Sequence, residues 1–215
     1  YINRQLERNA ICHVHGRARF EDVHTVTVTN PSGEHRKISA ENFIIATGSY
    51  PRRAENVAVD HEHIYDSDSI LSIVYLPKTL TVLGGGVIAS EYASIFLALG
   101  VEVTMIDKYP RPLGFLDSDL TDKFVQSFEA SGGRFLGNTE VESVEWNGMD
   151  QVVTTLNNGE TILSDKLLSA AGRIANVKGL NIQAAGLELT EQGVIAVDGD
   201  CRTQVKNIFA AGDVA

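Results

Sequence analysis

Gly84, Gly86 and Ala89 stand in the order G-x-G-x-x-A, directly after the apolar run Leu80 to Leu83 and ahead of a helical pattern that reaches Leu99. In that setting of strand, glycine turn and helix, each small residue has a physical reason. Gly84 permits a tight turn, Gly86 lets a diphosphate approach the backbone, and Ala89 lets the helix lie close on its strand. Gly85, Val87 and Ile88 complete a loop whose main-chain N–H groups are unpaired at the helix start, where the helix dipole also favours an anion. Gly100 stops the helix, Val101, Val103 and Met105 alternate as a strand does, and Asp107 stands at that strand's end, 23 residues after Gly84. A carboxylate roughly 20 residues on is what a dinucleotide's adenosine ribose requires. The chemistry these positions allow is therefore dinucleotide binding.

Which dinucleotide is left open. Asp107 accepts from both ribose hydroxyls of NAD and repels a 2′-phosphate, yet Lys108 and Arg111 follow at once and suit that phosphate. Ordinary loop charge is the other reading of those two cations. Glu91, in the second turn of the helix among Ile88, Tyr92 and Ile95, reads as a partly buried carboxylate that needs a cation or amide partner. A solvated helix glutamate is its bland alternative.

The elements that must hold these residues fall into three blocks. From Ala10 to Thr47 the chain is strand-rich: Ile11 to Phe20, Thr25 to Thr29, Arg36 to Ser39 and Phe43 to Thr47. The turn signal Asn30-Pro31-Ser32-Gly33 predicts a small antiparallel meander, while Phe43-Ile44-Ile45-Ala46 is continuously apolar, like a buried parallel strand. From about Ser69 to Gly172 comes the dinucleotide unit. It includes a helix over 117–131 capped by Asp117, with Leu120, Phe124 and Phe128 as its apolar stripe. Strands follow at 134–136, 141–146, 152–156 and 161–163, with Asn157-Asn158-Gly159 as a hairpin turn, and a buried strand at 166–170. From Arg173 onward only Val194 to Val197 and Ile208 to Ala211 read as strands.

A net charge of −10 argues against nucleic acid or an anionic membrane as partner. The longest apolar stretch contains Glu91, which argues against a membrane span. Cys12 and Cys201 form neither a C-x-x-C nor a zinc spacing, so a reduced, cytoplasmic setting is expected. His13 with His15, and His61 with His63, lack companions at ligand spacing, and no metal site is expected. Neither end reads as a natural terminus, so the chain is expected to be a piece of a longer polypeptide.

Four motifs in order, Ile45-Ala46-Thr47-Gly48-Ser49, Gly84 to Glu91, Gly172-Arg173 with Asn176, and Ile208-Phe209-Ala210-Ala211-Gly212-Asp213, resemble the two-dinucleotide flavoproteins, the pyridine nucleotide-disulfide oxidoreductase family. The resemblance covers almost the whole chain. It implies an α/β fold in which a Rossmann-like NAD(P)-binding domain (69–172) is inserted into an incomplete FAD-binding domain (1–68 and 173–215) that carries the antiparallel meander. It implies FAD, NAD and NADP as cofactors. Gly84 to Ala89, Asp107, Lys108 and Gly172 would then serve the nicotinamide nucleotide, and Ala46, Thr47, Gly48, Gly212 and Asp213 the FAD. Glu91 matches the family's helix glutamate, which pairs with a lysine near the flavin and nicotinamide rings.

Ile64 to Leu71, Glu91 to Phe96 and Phe115-Leu116-Asp117 resemble the branch that performs FAD-dependent, Si-specific hydride exchange between NADPH and NAD. A disulfide or metal-ion reductase of the same family is the alternative, and a non-catalytic nucleotide-binding module is an alternative of another class. The resemblance further implies a homodimer or higher oligomer for the full-length protein, while the isolated chain is expected to be inactive.

Overall fold

The computed structural model describes residues 1–215, and their contacts divide them into two compact units, 1–50 with 174–215, and 51–173. In the first unit, α1 (Ile2–Arg8) precedes an antiparallel meander of β1 (Arg17–Asp22), β2 (Thr25–Thr29) and β3 (His35–Ser39). Asn30 makes the expected turn: its Oδ1 accepts from the Glu34 N–H (2.9 Å) and the Ser32 hydroxyl (2.8 Å). Phe20, Val26 and Val28 of the meander pack with Ile45, Ile182, Leu187, Ile195 and Ile208. Removing those side chains from water stabilises the unit by roughly 25 cal/mol per Å² of apolar area.

β4 (Phe43–Ile45) and β15 (Ile208–Ala210) pair in parallel, Phe43 opposite Ile208 and Ile45 opposite Ala210. Parallel pairing is as expected, but burial on both faces is not, because Ile44 is 73 % exposed. The strand expected from Ile11 begins only at Arg17, opposite Thr29. β2 ends at Thr29, so residues 11–16 have no partner strand. Val194 to Val197 is likewise no strand. Thr190 and Val194 close a tight turn (2.9 Å), and only the single bridge of Ile195 to Leu189 remains. The chain leaves this unit through β5 (Ser49–Pro51) and returns through β14 (Arg173–Ala175).

The second unit is built on a wholly parallel five-stranded sheet in the order β6 (Ile64–Asp66), β13 (Lys166–Ser169), β7 (Thr79–Leu83), β8 (Glu102–Ile106), β9 (Arg134–Leu136). Side-chain alternation divides its residues between two layers. Leu80, Val82, Val103, Met105 and Leu168 pack with Ala89, Ala93 and Phe96 of α2 (Val87–Ala98) and Phe128 of α3 (Ser118–Ala130). Leu83, Ile106 and Leu167 pack with Val144, Val152 and Leu156 of the antiparallel sheet β10 (Val141–Trp146), β11 (Val152–Leu156) and β12 (Thr161–Ser164). That small sheet stands in the crossover from β9 to β13, where a helix would be usual.

Three details depart from expectation. The boundary at 68 falls inside this unit, because Ile64–Asp66 is its edge strand, paired residue for residue with Leu167–Ser169. Asp117 occupies the N-cap of α3, but its side chain makes no capping bond; its carbonyl accepts from Leu120 and Thr121. Leu120 is exposed, so the inward apolar stripe of α3 is reduced to the half-buried Phe124 and the buried Phe128, stacked 6.1 Å apart.

Candidate functional site

The sheet order places β7 between β8 on one side and β13 on the other. Successive strands therefore diverge at β7, and a crevice opens beyond their carboxyl ends. A cleft of about 1200 Å³ lies there, lined by Gly84, Gly85, Gly86, Val87, Ile88, Asp107, Lys108 and Gly172 among others. Of the nine residues expected to serve the nicotinamide nucleotide, all but Ala89 line it. Ala89 is fully buried under the turn, where its Cβ lies 3.7 Å from the point a Cβ on Gly84 would occupy.

The three glycines differ in what they do. Gly84 has φ +112°, and a Cβ there would sit 2.6 Å from the Ala170 carbonyl oxygen, so only glycine fits between β7 and β13. Gly85 carries no such dihedral. A Cβ on it would instead strike the Asp107 carboxylate and approach the Pro112 Cα at 3.1 Å. The middle glycine thus leaves room for the carboxylate, a role the motif alone does not reveal. Gly86 is the N-cap of α2, with ordinary extended backbone, and a Cβ there would meet no protein atom within 4 Å. Its freedom from bulk leaves open space beside the helix N-terminus, which suits an approaching phosphate.

Asp107 is half-buried at the end of β8; its Oδ1 accepts from the Tyr109 N–H (3.0 Å), and its main chain bonds Leu136 and Thr139. The following loop is tied to the glycine turn, for Leu113 takes φ +53° and donates its N–H to the Gly85 carbonyl (2.7 Å). Lys108 is exposed, its ammonium 5.1 Å from the Tyr109 ring centre. Arg111 lines the cleft, but its guanidinium is paired bidentately with Asp122 on α3. Arg52, Ala54 and Asn56 also line the cleft, and the Arg52 N–H donates to Gly172, whose φ is +103° (2.9 Å). Their stretch, 51–56, lacks periodicity or a motif, so its place at the site had no sequence signal.

Glu91 is exposed and its side chain forms no hydrogen bond or ion pair, which corrects the expected partial burial. Ala89, Ser90, Ala93 and Phe96 take the face of α2 turned to the sheet, leaving Glu91 to water. His63 stacks on Trp146 (3.6 Å between centroids) beside Asp60, and His13 meets His15 edge-on at 6.4 Å in a segment that is not a strand.

In the first unit the other expected cluster assembles at the carboxyl ends of the parallel pair. The Ala211 N–H donates to Ile45 (3.0 Å), bringing Gly212 and Asp213 beside Ala46, Thr47 and Gly48. Gly48 and Gly212 both have positive φ, +70° and +77°. Asn176 links the cluster, its N–H bonding the Gly48 carbonyl (2.8 Å) and its amide the Thr47 carbonyl (3.3 Å). Ser49 donates its hydroxyl to Asp213 (3.3 Å). Open main chain at glycines, at the ends of parallel strands, with a carboxylate acceptor, fits one side of a nucleotide-type ligand such as FAD.

These features define a protein of the nucleotide-binding α/β oxidoreductase class. The chain belongs to the pyridine nucleotide-disulphide oxidoreductase family, whose model it matches over residues 2–215. It is 43 % identical over 207 residues to the soluble pyridine nucleotide transhydrogenase of Colwellia psychrerythraea, covering 96 % of this chain and 44 % of that one. To the protein of the same name in Vibrio vulnificus it is 40 % identical, covering 97 % and 44 %. Among solved structures, LpdA from Mycobacterium tuberculosis aligns with a TM-score of 0.89 at 28 % identity, over 100 % of this chain and 48 % of that one. The chain spans less than half the length of the curated relatives it matches. The Cu(II) complex of the HOCl-induced flavoprotein disulfide reductase RclA from Escherichia coli aligns with a TM-score of 0.83 at 28 % identity, covering 99 % and 50 %. The family is one of oxidoreductase flavoproteins that use FAD and pyridine nucleotides. No helix is long and apolar enough to cross a membrane.

Proposed function

We propose that the full-length protein exchanges hydride between nicotinamide coenzymes, NADPH + NAD ⇌ NADP + NADH, with Si-face stereochemistry and with FAD supplying the two-electron carrier. The observation that carries this reading is the 40–43 % identity to proteins named soluble pyridine nucleotide transhydrogenase, against 28 % to a flavoprotein disulfide reductase. In this reading Gly84, Gly85 and Gly86 with the first turn of α2, Val87 and Ile88, receive the coenzyme diphosphate, and Ala89 keeps that turn against the sheet. Asp107 accepts from the adenosine ribose, Lys108 neutralises a 2′-phosphate, and Gly172 shapes the opposite wall of the cleft. Ala46, Thr47, Gly48, Gly212 and Asp213 would hold FAD. Glu91, exposed on α2, is available to pair with a lysine elsewhere in the full-length protein. A homodimer or higher oligomer in the cytoplasm completes the proposal.

Residues of this kind bind and orient; they leave the redox chemistry to the cofactors. A single nucleotide site used twice predicts ping-pong kinetics. The test is to assay the full-length protein for NADPH-dependent reduction of an NAD analogue, beside dihydrolipoamide and oxidised glutathione. Turnover with the analogue and not with the thiol or disulfide substrates is expected; the reverse pattern makes the protein a disulfide reductase and overturns the proposal.

A further inference from the structure

The Arg111 guanidinium holds Asp122 through two donors, Nε to Oδ1 and Nη2 to Oδ2 (3.2 Å), joining the loop after β8 to the second turn of α3. Both side chains are 47 % exposed. Arg111 lines the cleft in company with Asp107 and Lys108, whereas Asp122 does not. An adenosine ribose bound at Asp107 presents its 2′ position to this corner. A 2′-phosphate there meets one repelling carboxylate, Asp107, and two cations. Lys108 has no carboxylate partner, while Arg111 already has one, in the bidentate geometry that a phosphate would otherwise use.

We infer that Asp122 competes with the 2′-phosphate for Arg111 and thereby sets the balance between phosphorylated and unphosphorylated coenzyme at this cleft. The inference rests on the nucleotide-site reading above. Asp122 is a positioning residue: it touches neither coenzyme and acts through Arg111. An exposed pair of this kind is weak, so releasing Arg111 tightens the phosphorylated coenzyme by up to about fivefold.

The test titrates NADPH and NADH separately into the 215-residue chain by calorimetry, for the parent sequence, Asp122→Asn and Asp122→Asn with Arg111→Gln. Expected are a several-fold gain for NADPH with Asp122→Asn, no change for NADH, and loss of the gain in the double variant. The gain should shrink as salt is raised, since the contact is exposed. An unchanged NADPH affinity, or equal shifts for both coenzymes, overturns the inference and leaves the site reading intact. Failure of either coenzyme to bind the folded parent chain overturns the site reading and the inference with it.

Discussion

Gly84, Gly85 and Gly86 are adjacent in sequence yet constrained by different neighbours, and substitutions should separate them. Gly84→Ala forces a Cβ to within 2.6 Å of a backbone carbonyl at φ +112°; the conformation alone costs about 1–3 kcal/mol. Thermal unfolding should show that loss. Gly86→Val should unfold at nearly the parent temperature, because the backbone is extended and no protein atom lies within 4 Å, while coenzyme binding by titration disappears. Retained affinity in Gly86→Val would place the diphosphate elsewhere. Gly85→Ala should weaken NADH binding by displacing the Asp107 carboxylate with a smaller effect on folding, since Asp107 can swing towards the open cleft. The G-x-G-x-x-A pattern and the distance to Asp107 announced this site in the sequence. The state of Arg111 and Glu91 was not legible, because an ion pair between a loop and a separate helix, and the rotation of α2 on the sheet, are set by packing.

Edge strand β6 owes its place to the turn before it. Asp60 Oδ1 accepts from the N–H groups of Glu62, His63 and Ile64 at 2.7–2.8 Å, and the buried Lys166 donates its ammonium to the Glu62 carbonyl (2.8 Å). Burial pushes the Asp60 carboxyl up, but the three backbone donors outweigh it and hold the group below its ordinary value of 3.8. Asp66 is held down in the same way by the Ser69 N–H and hydroxyl and the Asp68 N–H, against its own burial. Carboxyls lowered in the folded state bind fewer protons there than in the unfolded chain. Their contribution is complete above that ordinary range and is lost as pH falls through and below it. Unfolding midpoints measured from about pH 6 to pH 2 should therefore drop at the acid end, and Asp60→Asn, which keeps the acceptor oxygen and removes the titration, should flatten part of that drop. An identical acid profile in the variant would show that Asp60 is not one of the groups responsible. The strand and helix periods were readable for α2, β7 and β8, whereas the 11–16 and 194–197 segments looked like strands. Alternation alone cannot supply a partner ladder, and both segments lack one.

For the molecule as a whole, the second unit carries a cleft enclosed by its own sheet, loops and helix terminus, while the first presents its FAD-type residues largely to solvent on a two-stranded parallel pair, with Ile44 73 % exposed. The 215-residue chain is therefore expected to bind NADH and to lack flavin: the purified material should show no visible absorbance band, and a stable flavin spectrum would contradict this. Local order along the chain was enough to specify the glycine turn, the carboxylate beyond the next strand and the two bracketing strand ends, because each depends on residue type and short spacing. Three-dimensional assembly was needed to settle that residues 51–68 join the second unit, that the middle glycine makes room for Asp107, and that Arg111 is already engaged by Asp122. Each of these depends on groups distant in sequence meeting at one point, and no local period encodes such a meeting.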